Sequence, residues 1–159
     1  MIAFRPMRSS EFPGYLDYFI PEYAVEISAN YGLSDAEALA QAKREIVDDL
    51  PDGTQTHGHT LLCITDDESG DDDVVGYLWY RRSEDLGFVF INDFHIFAAH
   101  QGKGYGKSAL NALEAELSDA GVEHIRLRVA ADNERAQHVY RHCGFRTTGF
   151  NMSKRIGKA

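Results

Sequence analysis

Several things are scarce in this 159-residue sequence, and each scarcity excludes a class of protein. It has only two cysteines, Cys63 and Cys143, set in apolar surroundings in different segments. That excludes a disulfide framework or a cysteine-rich zinc site and suits buried, reduced thiols. No apolar run approaches the roughly 18 residues of a membrane-spanning helix. The N-terminal apolar stretch, Ile2 to Phe4, is too short for a signal-peptide core, so the expected location is the cytoplasm and no membrane partner is expected. Basic residues are outnumbered, 16 against 25 acidic, for a formal charge of −9. Such a surface repels polyphosphate backbones and argues against nucleic acid as a partner. The excess is local, however. Asp66, Asp67, Glu68, Asp71, Asp72 and Asp73 crowd into eight positions, and without those six acids the balance would be −3.

What remains is an ordinary globular composition, 43% hydrophobic and 26% charged, long enough for one core and short for two. A single domain over residues 1–159 is therefore expected. Strand patterns fall at Ile2–Pro6, Thr60–Ile64, Val74–Tyr80 and Phe88–Ile96, with the acidic segment and Gly70 as a solvated turn between the second and third. His124–Val129 alternates as a further strand, and Phe145–Met152 reads as the last one. An aromatic-rich region from Phe12 to Tyr23 reads as helix broken by Pro13 and Pro21. Ser34 and Glu37 form a capping box opening a helix that presents Leu39, Ile46, Val47 and Leu50 and stops before Pro51. Ala109, Leu110, Leu113 and Leu117 recur at helical spacing after Gly106, and Asn133 caps a short helix ending at Gly144. Adjacent hairpin strands followed by two βα units imply an α/β (α+β) fold with a mixed sheet covered by helices.

The most informative stretch is His100-Gln101-Gly102-Lys103-Gly104-Tyr105-Gly106-Lys107-Ser108, between an apolar strand and an amphipathic helix. Three alternating glycines turn the backbone tightly and leave no Cβ in front of its amides, and the helix start aims unpaired N–H groups at the same place. The pattern suits a phosphate. It misses a Walker A loop because Gln101 stands where the first glycine is required. It matches a dinucleotide glycine pattern, but only one parallel βα unit follows it. A glycine-rich turn with no ligand is the remaining alternative.

Gln101, Gly104 and Gly106 fill Gln-x-x-Gly-x-Gly, which resembles the coenzyme A pyrophosphate loop of the GNAT superfamily of N-acetyltransferases. Downstream, the segment from Asn133 through Ala136 and Tyr140 to Gly144 and Phe145 resembles the family's second motif. The resemblance implies a largely antiparallel central sheet, splayed at the cofactor site and covered by helices on both faces. It implies acetyl-CoA as co-substrate, without a metal. Phe94, His95 and Ile96 would pair with the pantetheine arm, and Gln101, Gly102, Lys103, Gly104, Tyr105, Gly106, Lys107 and Ser108 would wrap the pyrophosphate. Asn133 and Ala136 would line the other side, and Tyr140 would approach the sulfur. The implied reaction moves an acetyl group to a primary amine on a small molecule or peptide, with Tyr140 as proton donor. Asp93, on the strand that presents the thioester, is the favoured base. A non-catalytic acyl-CoA sensor is the alternative. His57-Gly58-His59 and the pair His138 and His142 read as exposed histidines rather than metal ligands, and Trp79 and Tyr80 read as core before acceptor pocket. Exposed strand edges leave a homodimer open.

Overall fold

The computed structural model describes residues 1–68, 72–84 and 87–157. The turn positions Gly70 and Asp71 lie outside them. The described chain groups into two compact units, one comprising Met1–Met7 and Thr54–Arg146, the other Arg8–Gly53 and the segment from Thr147 onward.

The first unit is a five-stranded sheet in the order β1-β2-β3-β4-β5. Its strands are β1 (Ile2–Pro6), β2 (His59–Asp66), β3 (Val74–Arg82), β4 (Phe88–Ile96) and β5 (His124–Leu127). The first four pair antiparallel, and β5 joins β4 in parallel. Two helices belong to it, α3 (Tyr105–Asp119) and α4 (Glu134–His142). The core joins Ile64, Val75, Leu78, Val89, Ile91 and Ile96 of the sheet to Ala109, Leu110, Leu113 and Leu117 of α3. Each fully buried aliphatic side chain contributes about 1.5–3 kcal/mol, which makes the helical stripe read from the sequence the element that fixes α3 to β4.

The second unit holds α1 (Phe12–Tyr31) and α2 (Asp35–Asp49). Contrary to expectation, Pro21 does not break α1, which runs through it for 20 residues. Pro21 is exposed, while Tyr15, Phe19, Ala24 and Ile27 are buried on the other side, so apolar burial outweighs one missing backbone hydrogen bond. The capping box of α2 is present, with Ser34 Oγ accepting from the Glu37 amide at 3.2 Å and Glu37 accepting from the Ser34 amide at 3.3 Å. Its buried stripe, however, is Ala38, Ala42 and Ile46, and Val47 is 65% exposed. Small residues at i and i+4 let α2 come close to Ala24 and Ile27 of α1, which a stripe of larger side chains would prevent.

The last expected strand is absent. Residues 145–156 carry no strand, with Phe150 85% and Met152 95% exposed. The run has strand-favouring residues, but Gly149 interrupts it and no neighbouring strand supplies its ladder.

Candidate active site

The site begins with the behaviour of β4. Its register against β3 pairs Tyr77 with His95, Leu78 with Phe94 and Trp79 with Asp93, then jumps so that Tyr80 meets Ile91. Asn92 is thus an extra residue, a bulge immediately before Asp93. Because the bulge precedes both, Asp93 and His95 stay on one face, as simple alternation expects. The Phe97 amide donates to the Val75 carbonyl at 2.9 Å. Stepping by twos from that bond turns the backbone groups of His95 and Asp93 toward β3 and those of Phe94 and Ile96 toward the other edge. On that edge β5 pairs only with Phe88–Ile91 and ends at Leu127. Beyond Ile91 that edge of β4 has no strand partner among the described residues. Of the three residues expected to meet a pantetheine arm, the geometry directs Phe94 and Ile96 to the open edge and gives His95 to β3.

Gly76 makes this tight pairing possible. A Cβ there would overlap the His95 carbonyl oxygen, so β3 needs glycine at that point.

After β4, a single 3₁₀ turn (Ala98–His100) leads into the glycine loop. Gly102 and Gly104 have φ of 78° and 81°, the left-handed region that disfavours side chains. A Cβ at either would meet nothing within 4 Å, so the concave side of the loop is open. Gly106 differs: a Cβ there would make ordinary contact, 3.7 Å from Val139 and 3.9 Å from Phe94, so packing alone does not require glycine at that point. The first intrahelical bond runs from the Ser108 amide to the Gly104 carbonyl at 3.1 Å. The amides of Tyr105, Gly106 and Lys107 therefore begin the helix without intrahelical acceptors. Exposed Lys103, Lys107 and Ser108 surround them. Open space, forward-facing amides and two ammonium groups fit a pyrophosphate.

Tyr105, the first residue of α3, is anchored. Its hydroxyl donates to Asp66 Oδ2 at 2.7 Å, and Asp66 Oδ1 accepts from the Glu68 amide at 3.2 Å and the Met1 ammonium at 3.2 Å. The Tyr105 hydrogen bond, followed by the Glu68 amide, lowers the Asp66 pKa, and the Tyr105 pKa rises correspondingly. Gln101 forms a second tie. Its Nε2 donates to the Ile96 carbonyl at 2.8 Å, while its Oε1 accepts from Arg135 Nη1 of α4.

On α4, Asn133 Oδ1 caps the helix by accepting from the Ala136 amide at 3.1 Å, and the Phe145 amide donates back to the Tyr140 carbonyl at 3.0 Å past Gly144 (φ 90°). Tyr140 packs between Phe94 and Phe145, ring centroids 6.4 and 5.6 Å away. Burial first, and then the negative charge of Asp93, push its pKa well above the usual tyrosine value. The Asp93 carboxylate is thus near enough for its charge to disfavour the Tyr140 phenolate. Trp79 is in the core, 1% exposed, with its Nε1 donating to His59 Nδ1 at 2.9 Å. His138 and His142 stack edge to face at 4.3 Å. Among the described residues, no three His, Cys, Asp or Glu side chains group to hold a metal ion.

Three contributors escape a sequence reading. Asp66 is 8% exposed although it sits in an acidic run that reads as solvated, and only its place at the end of a strand hints otherwise. Gly76 resembles any strand glycine. Arg135 shares its segment with the second motif, but its contact with Gln101 crosses 34 positions of sequence.

The sequence profile described as Acetyltransferase (GNAT) family matches residues 23–145. The chain belongs to that family and is an acyltransferase. The uncharacterized N-acetyltransferase YycN of Bacillus subtilis (strain 168) is 35% identical over 159 residues, 98% of this chain and 99% of that protein. A crystal structure of Bacillus subtilis YycN superposes with a TM-score of 0.91 at 32% identity, over 99% of this chain and all of that one. Spermidine N-acetyltransferase from Vibrio cholerae, solved with CoA and spermine, shares the fold at a TM-score of 0.64 and 17% identity, over 93% of this chain and 82% of that one.

Proposed function

We propose that residues 1–159 act as one domain that transfers the acetyl group of acetyl-CoA to a primary amine, with Tyr140 as proton donor and Asp93 as base. The observation that carries this reading is the packing of the partly buried Tyr140 against Phe94, where β4 runs on past the end of its pairing with β5. The co-substrate supplies a thioester whose acyl carbon an amine can attack. Everything else falls to the chain. The loop amides and lysines hold the phosphates, and the open-edge groups of Phe94 and the amide of Ile96, whose carbonyl accepts from Gln101, offer strand-like hydrogen bonds to the arm. An ammonium has no lone pair, so Asp93, directly or through water, removes a proton from it. Tyr140 Oη keeps its proton through neutral pH because burial and the nearby carboxylate both penalise the phenolate. Amine acceptors are supported by the spermine bound in the Vibrio cholerae neighbour.

Saturating acetyl-CoA, at about one hundred times its Kd, should stabilise the protein by about 2.7 kcal/mol, which raises Tm by roughly 5–11 °C. No shift with any acyl-CoA removes the cofactor assignment. Thiol release across polyamines, amino acids, aminoglycosides and peptides then identifies the acceptor class. A shift without release toward any of these amines favours the acyl-CoA sensor.

A further inference from the structure

The Gln101 side chain is committed at both ends. Its Nε2 is on the Ile96 carbonyl at the open edge of β4, and its Oε1 is on the Arg135 guanidinium. The orientation of the amide is thereby fixed, since reversing it would set oxygen against oxygen. Arg135 lies in the first turn of α4, where the helix dipole disfavours a cation, so its place does not serve the helix. It is solvent-exposed. The contact with Gln101 engages one of its five N–H donors and leaves the planar group beside the residue that opens the glycine loop.

We propose that Arg135 is a binding and specificity-determining residue for the phosphorylated end of coenzyme A, and that Gln101 is the positioning residue that aims it. The inference rests on the cofactor reading above. The loop amides and flexible lysines supply an anion site of loose geometry, and a guanidinium held by Gln101 adds a fixed, forked donor set matched to phosphate oxygens. Arg135 thereby joins the two motifs, which lie on different helices, into one phosphate site.

The test is CoA affinity by isothermal titration, with melting curves verifying that each variant folds. Arg135→Ala should raise the Kd for CoA by about fivefold to thirtyfold. Arg135→Lys, which keeps the charge but not the fork, should recover only part of that loss. The gap between wild type and Arg135→Ala should shrink as salt rises from about 0.05 to about 0.5 M. Three results would overturn the proposal: wild-type affinity in Arg135→Ala, wild-type affinity in Arg135→Lys, or a gap that salt does not change. The second would show that charge alone suffices and that Gln101 aims nothing. Failure of the wild-type protein to bind CoA at all is a different result, which overturns the cofactor reading itself and this proposal with it.

Discussion

At the scale of single residues, Tyr140 and Asp93 are best understood through their surroundings. A general acid must hold its proton until the sulfur departs and then release it; the raised pKa of Tyr140 secures the first at a cost to the second. Tyr140→Phe removes only the hydroxyl and leaves the packing against Phe94 and Phe145 in place. It should lower kcat by about one hundredfold or more with KM for acetyl-CoA nearly unchanged. Unchanged turnover would remove Tyr140 from the role. Asp93→Asn should depress the rate most at low pH, where few amines are already deprotonated, and a pH profile parallel to wild type would send the search for the base elsewhere.

At the scale of elements, the pairing of β3 with β4 is the support on which the site depends. Gly76→Ala forces backbone apart, because the obstructing atom is the His95 carbonyl and not a side-chain end that could swing away. The expected cost is about 1–3 kcal/mol, seen as a lower Tm, together with weaker acetyl-CoA binding. A variant as stable as wild type would show that β4 can shift without harm. Elements also mark what the sequence reveals. The strands β1 and β4 were legible to the residue because an apolar run met a Gly- or Pro-marked boundary, and α3 because four apolar residues shared one face. Asn92 was not legible as a bulge, since nothing in Phe90-Ile91-Asn92-Asp93-Phe94 distinguishes an inserted residue from a paired one until β3 is laid beside it. The unbroken α1 was missed because local chemistry at Pro21 was overruled by burial elsewhere on the helix. Phe145–Met152 has the propensity of a strand but no partner, so propensity alone overstates it. Within the site, glycines made the loop visible, whereas Asp66 and Arg135 act through contacts between distant positions.

At the scale of the whole molecule, stability should fall off on both sides of a neutral plateau. The folded pKa of Asp66 lies below its unfolded value, so its contribution is present above the ordinary carboxylate range and is lost as pH falls through the folded pKa. The folded pKa of Tyr140 lies above its unfolded value, so its contribution is fully present below about pH 10 and is lost as pH rises toward the folded pKa. Melting temperature measured across pH should therefore decline below about pH 4 and above about pH 10. Asp66→Asn should flatten the acid limb and Tyr140→Phe the alkaline one. If neither variant changes its limb, other groups govern the pH response.

The open edge of β4 beyond β5 has a consequence for time as well as for space. Along Asp93–Ile96 the backbone alternates between amides locked into β3 and amides aimed at the unpaired edge. Deuterium should enter at Phe94 and Ile96 quickly and at His95 slowly, although all three lie within one strand. Addition of CoA should erase that alternation, because a bound arm would stand to this edge as the continuation of β5 would have stood.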